Sequence, residues 1–186
     1  MSSTPTTEQL AKLDHLKGIL QGLEGAAVAF SGGVDSTFLL AVAHEVLGPR
    51  AFAITASSCV YPQSETDFSS QFCTERGIHQ ETLFFDALGV EGFAQNPKNR
   101  CYICKKQLLA LLTDVALKTA ARLGISHVAI IEGSNASDRA DYRPGAQAVE
   151  EAGLLSPLDE ADLTKDDIRA LSNMMGLPTW NKPSFA

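Results

Sequence analysis

Five apolar residues, Ala26–Phe30, run directly into Ser31-Gly32-Gly33-Val34-Asp35-Ser36, and helix-forming residues follow. A short, unbroken apolar run is the pattern of a strand buried on both faces of a parallel sheet. The same rhythm recurs along the chain. Leu10, Leu13, Leu16, Leu20 and Leu23 fall at helical spacing, which predicts a helix over 8–23. Phe38 to Leu47 reads as a helix closed by Gly48-Pro49. Ala51–Ala56, Ile78–Phe85 and His127–Ile131 read as strands, and 62–76, 101–123, 144–152 and Thr164–Met175 as helices. Thr164 caps the last of these, with Asp167 adding negative charge to its first turn. Strands alternating with helices predict an α/β fold: a parallel sheet with helices on both faces. On such a sheet, ligands bind at the carboxyl ends of the strands.

The length of 186 residues suits one domain. Residues 1–24 read as a lead-in and helix, and 25–186 as the domain proper. The net charge of −7 weighs against a nucleic-acid partner. No apolar run approaches the roughly 18–20 residues of a membrane span, and Met1 to Thr7 carries no signal-peptide pattern. Cys59, Cys73, Cys101 and Cys104 are too few for a disulfide scaffold, so a cytoplasmic, reduced protein is expected. His15, His44, His79 and His127 lack ligand spacing, Asp159–Asp167 reads as a solvated face, and Gly89–Asn99 as a loop.

The hexapeptide carries the chemistry. Adjacent Gly32 and Gly33 allow a sharp turn and a close backbone approach. The helix that follows offers unpaired N–H groups and the positive end of its dipole. With the hydroxyls of Ser31 and Ser36, these groups suit a phosphate or pyrophosphate. Asp35 repels an anion directly and is better placed to hold a magnesium ion that bridges phosphates. The loop is neither a Walker loop nor a Gly-x-Gly-x-x-Gly fingerprint.

The hexapeptide resembles the PP-loop of the ATP pyrophosphatases, which include NAD, GMP and asparagine synthetases and tRNA thiolation enzymes. That resemblance implies a Rossmann-like, adenine-nucleotide α-hydrolase-like fold. It also implies ATP cleavage between the α and β phosphates, with the substrate adenylated. Three more segments narrow it. They are Asn99-Arg100-Cys101-Tyr102-Ile103-Cys104-Lys105-Lys106, Glu132-Gly133-Ser134-Asn135-Ala136-Ser137-Asp138 with Asp141-Tyr142-Arg143-Pro144-Gly145, and Leu154 to Leu158, Leu163-Thr164-Lys165 and Leu177-Pro178-Thr179-Trp180-Asn181-Lys182-Pro183-Ser184. In this order they resemble the LarE family of ATP-dependent sacrificial sulfur transferases.

The LarE resemblance implies adenylation of a carboxylate on a pyridinium mononucleotide and insertion of sulfur to give a thiocarboxylate. This chemistry serves nickel-pincer cofactor synthesis for lactate racemase. It implies ATP and Mg2+ as cofactors and a homo-oligomer. The family's sacrificial cysteine directly follows a Lys-Pro-x-x-Ala segment, and this sequence stops at Ala186, so a fragment of a longer protein is expected, with sulfur from that following cysteine or from a [4Fe-4S] cluster held by Cys101 and Cys104. An amide-forming synthetase and a tRNA thiolation enzyme are the alternatives.

The resemblance also distributes roles. Ser31, Gly32, Gly33, Val34, Asp35 and Ser36 would hold ATP and pyrophosphate, with Thr55, Ala56, Gly133 and Asn135 at the nucleotide. Asp35, Lys105 and Glu132 are the candidate catalytic residues, with Glu132 joining Asp35 on magnesium or else a satisfied acid at a strand end. Arg139 and Arg143 are candidates for phosphate or substrate, while Asp141 and Arg143 pairing as scaffold is an equal alternative. Cys101 and Cys104, three apart beside Arg100, Lys105 and Lys106, fit two ligands of a [4Fe-4S] cluster, a zinc or redox pair, or inert thiols. Cys59 and Cys73 read as packing residues.

Overall fold

The computed structural model describes residues 4–57, 63–85, 100–140 and 144–183. Four parallel strands form one sheet: β1 (Ala26–Ala29), β2 (Ala51–Ser57), β3 (Gln80–Phe84) and β4 (Ala129–Ile131). Their order is β3-β2-β1-β4. The chain therefore steps outward from β1 to β3 and returns to the far side of β1 for β4. Val28 pairs with Ala53 on one side and Ile131 on the other. Leu155 adds a parallel bridge to Ile131 beyond β4.

Alternation along the strands separates two cores, because successive side chains point to opposite faces. Ala26, Val28, Phe30, Ala51 and Ala53 face one layer of helices. That layer contains α1 (Thr7–Gln21), α2 (Val34–Leu47), α3 (Gln63–Arg76), α6 (Pro157–Glu160) and α7 (Lys165–Met174). Leu16 and Leu20 of α1 and Phe38 to Leu40 of α2 are wholly buried there. Ala27, Phe52 and Ile54 face the other layer, which is α4 (Arg100–Arg122) through Leu112, Ala116 and Ala120. Leu109 of α4 also packs on Ala148 and Val149 of α5 (Pro144–Glu151). The small alanines of β1 and β2 let α2 and α4 sit close against the sheet.

Most element boundaries move little from the sequence reading, and the differences are local. The second helix starts at Val34 rather than Phe38, so Val34, Asp35 and Ser36 form its first turn. Strand β3 begins at Gln80, because Gly77 at φ 65° lets the Ile78 N–H close onto the Cys73 carbonyl and end α3. Strand β4 begins at Ala129, since His127 turns to the Glu24 carboxylate at 3.0 Å. The short turns Ala136–Ala140 and Pro157–Glu160 were not read from the sequence. The loop expected at Gly89–Asn99 lies outside the described residues.

Candidate active site

Strands β1 and β4 end side by side at the point where the chain reverses its direction across the sheet. A crevice at such a switch point is the expected ligand site of an open α/β sheet. Two loops meet there.

The first loop leads from β1 into α2. Gly32 adopts a left-handed φ of 76°. Gly33 is extended and heads α2 with no side-chain cap. The first-turn N–H groups of α2 thus lack intrahelical partners and point out of the helix end. Ser31 Oγ and Ser36 Oγ lie 3.0 Å apart, and the Ser31 N–H donates to Ser36 Oγ at 3.3 Å. The hydroxyls fold the loop back onto the helix start, while Val34 anchors it in the core. Open donors and the dipole together make an anion cradle.

The second loop follows β4. Glu132 accepts hydrogen bonds from the Ser134 N–H at 3.1 Å, the Ser134 hydroxyl at 2.9 Å and the Ser156 hydroxyl at 2.6 Å. A Cβ on Gly133 would stand 3.2 Å from Ser36 N and 3.3 Å from Asp35 Cβ. Gly133 therefore lets the second loop press against the start of α2. Asn135 is buried, its Oδ1 accepts from the Ser137 N–H at 3.0 Å, and its Nδ2 has no hydrogen-bond partner.

Asp35 stands between the two loops. Its Oδ2 pairs with the Lys165 ammonium, and its Oδ1 is buried with no hydrogen-bond partner. Burial raises its pKa above the ordinary carboxyl value; Lys165 and the more distant Arg169 pull it down, and Asp138 pushes it up. A carboxylate oxygen left without a donor is a fit ligand for a hard divalent cation. A second cation approaches from the other side. Lys182 Nζ donates to the Gly32 carbonyl at 3.1 Å and lies 5.2 Å from the Phe68 ring centre.

No protein-family model matches the chain. It is 41% identical over 175 residues to the uncharacterized protein slr1717 of a Synechocystis strain, covering 94% of this chain and 63% of that one. It is 36% identical over 168 residues to the pyridinium-3,5-bisthiocarboxylic acid mononucleotide synthase of Lactiplantibacillus plantarum, covering 90% and 59%. That synthase is a LarE protein. The chain is thus similar to LarE over nearly all of its own length.

It spans about three fifths of the length of these two relatives. Among solved structures, it resembles an NMN synthetase from Francisella tularensis with a TM-score of 0.71 at 16% identity, covering 98% of this chain and 76% of that one. An ammonia-dependent NAD synthetase from Campylobacter jejuni matches with a TM-score of 0.64 at 15% identity, covering 96% and 77%. The α/β fold expected from the sequence is thus the fold of PP-loop NAD synthetases.

In this LarE-like chain the crevice gathers Ser31 to Ser36, Glu132, Gly133 and Asn135, all of which the sequence had singled out. Thr55 and Ala56 end the neighbouring strand β2. The Thr55 hydroxyl accepts from Gln80 Nε2 at 2.8 Å, which leaves backbone groups for any nucleotide contact there. Lys105 is half-buried on α4. Arg139 is committed elsewhere: it donates to Asp159 Oδ1 at 2.6 Å and Asp162 Oδ1 at 2.8 Å, so a phosphate contact would require those bonds to open. Cys101 and Cys104 stand on the first turn of α4, and their side chains lie outside what the structure describes. Arg143, Asp141 and Cys59 also fall outside the described residues. Cys73 is buried, and burial pushes its thiol up to about 12, as a packing residue requires. No described group of three His, Cys, Asp or Glu could hold a metal ion.

Two site residues carried no role in the sequence reading. Lys165 was visible within the Leu163-Thr164-Lys165 segment, and its signal was electrostatic. A lysine in the first turn of a helix faces the wrong end of the dipole, which calls for a carboxylate elsewhere; Asp35 is that carboxylate. Lys182 lies 150 residues from the loop it touches, and nothing local marks that contact. The run Asp159–Asp167 is also more than a solvated face. Asp159 and Asp162 hold Arg139, and Asp167 is buried against Lys12 at 2.9 Å.

Proposed function

We propose that this chain is the adenylating portion of a sulfur transferase. It would bind ATP, activate a carboxylate of a pyridinium mononucleotide with release of pyrophosphate, and lead to a thiocarboxylate in nickel-pincer cofactor synthesis. The observation that carries the reading is Asp35. It sits on an uncapped helix end with one buried oxygen unpartnered and the other on Lys165. Likeness to the pyridinium-3,5-bisthiocarboxylic acid mononucleotide synthase supplies the acceptor class.

The chain's residues would divide the work as follows. The α2 N–H groups, Ser31 and Ser36 grip the β and γ phosphates as they leave. Asp35 Oδ1 holds Mg2+, which offsets charge on the phosphates. Lys165 and Lys182 supply cations at the edges of the cradle, Lys165 moving from Asp35 toward phosphate when the nucleotide enters. The β2 backbone at Thr55 and Ala56 faces the adenine. Glu132, held by three hydrogen bonds, keeps the second loop in shape and need not touch the metal.

The acceptor carboxylate attacks the α phosphorus, and the α–β phosphoanhydride bond breaks to release pyrophosphate. A thiolate then attacks the acyl-adenylate and expels AMP. With a cysteine directly after Ala186 as donor, loss of its Cα proton to a base lets the Cβ–S bond break. Dehydroalanine stays on the protein and the sulfur on the substrate. Cys101 and Cys104 would give a [4Fe-4S] cluster two of its ligands. Such an enzyme would act in the cytoplasm.

The test is ATP turnover by the full-length protein with a carboxylated pyridinium mononucleotide. AMP and pyrophosphate should form only with that acceptor, and Asp35→Asn should lower the rate at least about 100-fold. Amide formation from ammonia, or turnover driven by tRNA, would reject the reading.

A further inference from the structure

Helix α7 serves the phosphate loop twice, from one face. Lys165 and Arg169 are four residues apart and so are stacked on the same side of the helix. Lys165 meets Asp35 directly. Arg169 does not touch the loop. Its Nη1 donates to the Trp180 carbonyl at 2.8 Å and its Nη2 to the Lys182 carbonyl at 2.8 Å. Between those two carbonyls the chain makes a tight turn, with the Lys182 N–H on the Thr179 carbonyl at 2.9 Å and the Trp180 N–H on Leu177 at 3.4 Å. Thr179 anchors the turn in the interior. From it the Lys182 side chain reaches across Phe68 of α3 to the Gly32 carbonyl.

We infer that Arg169 is a positioning residue of the phosphate site, acting through Lys182; this rests on the reading of that loop as an ATP site. A guanidinium is planar and presents two parallel donors, so it can hold two carbonyls of one turn in a fixed relation. A lysine would fix it less firmly, because its ammonium is a point charge whose three donors swivel on a flexible stem rather than a rigid fork. The held turn then fixes where the stem of Lys182 begins, and a four-carbon stem loses much rotamer freedom in reaching Gly32. Finally, Lys165 and Arg169 both pull on the Asp35 carboxyl while Lys182 stands at Gly32, so α7 and the turn after it bring positive charge to the loop that would hold an anion. The affinity for phosphate therefore depends on Arg169 without any contact between them.

Pyrophosphate and ATP binding measured by calorimetry tests this, on wild-type protein and the Arg169→Met, Arg169→Lys, Lys182→Met and Arg169→Met/Lys182→Met variants, each first checked for a cooperative thermal unfolding transition. Lys182→Met should weaken pyrophosphate binding about tenfold. Arg169→Met and Arg169→Lys should each do nearly the same, and the double variant should be no weaker than Lys182→Met within about twofold. The charge-preserving Arg169→Lys keeps the test decisive should the methionine variant not fold. Wild-type affinity in Arg169→Lys, or a double variant weakened by the product of the two single effects, would overturn the inference while leaving the ATP site intact. Failure of wild-type protein to bind ATP or pyrophosphate would overturn both.

Discussion

Asp35 shows how one side chain can be held ready for a ligand. Its buried, unpartnered Oδ1 costs free energy in the unliganded protein, because a buried acceptor without a donor forfeits its hydration. The Lys165 ammonium offsets part of that cost. Gly133 matters for the same atoms. An added methyl there would sit inside the normal contact distance of Ser36 N and Asp35 Cβ, so either the second loop or the first turn of α2 must shift. Gly133→Ala should therefore weaken ATP binding about tenfold while the unfolding temperature falls by only a few degrees. Calorimetric ATP affinity close to wild type would show that the contact does not constrain the cradle.

The start of α7 is fixed by a reciprocal cap. Thr164 accepts from the Asp167 N–H at 3.3 Å, and Asp167 accepts from the Thr164 N–H at 3.0 Å. Burial works against ionisation of Asp167, but hydrogen bonds from Lys12, Thr164 and Gln9 outweigh it and hold the carboxyl at about 2. A depressed carboxyl contributes stability that is complete above its ordinary value of 3.8 and is lost as pH falls through about 2. We expect on the order of 1 kcal/mol of acid sensitivity from this group, reduced by its partial contact with water. Urea unfolding at pH 5 and pH 2.5 should show that loss in the wild type and a smaller one in Asp167→Asn. An identical loss in both would place the acid sensitivity elsewhere.

This cap was legible in the sequence because it is local: threonine and aspartate three residues apart at the head of a helix. The phosphate loop was legible for the same reason, since its glycines and serines are adjacent along the chain. The contacts of Lys165, Lys182 and Arg139, and the Lys12 contact of Asp167, were not. Each depends on a partner between 20 and 155 residues away, and side-chain type does not encode which distant carboxylate or carbonyl it will find. The start of α2 was misread by four residues because Val34, Asp35 and Ser36 are indifferent helix formers. The burial of Val34 and the extended Gly33 decide the matter.

At the scale of the whole molecule, the sheet order β3-β2-β1-β4 brings both loops to one crevice, and helices on both faces keep it rigid. Among the described residues, no helix is long and apolar enough to cross a membrane. A ligand held by elements from both halves of the chain should stabilise the entire fold. At 100 times its dissociation constant, Mg-ATP would add about 2.7 kcal/mol. For a chain of this size that is a rise of roughly 5–10 °C in the unfolding temperature. Thermal melts of wild type and Asp35→Asn with and without Mg-ATP check this, and a shift retained in the variant would remove Asp35 from the binding site.

The bond from Lys182 to Gly32 also sets a clock. Its two ends are 150 residues apart, and a ribosome adding about 5–20 residues per second needs roughly 8–30 s to make the stretch between them. During that interval β1 and α2 can already be in place, yet the emerging polypeptide has a cradle without its far cation. On the proposed reading, a growing chain would capture nucleotide poorly until that turn has left the exit tunnel, and so would not start an adenylation it could not finish.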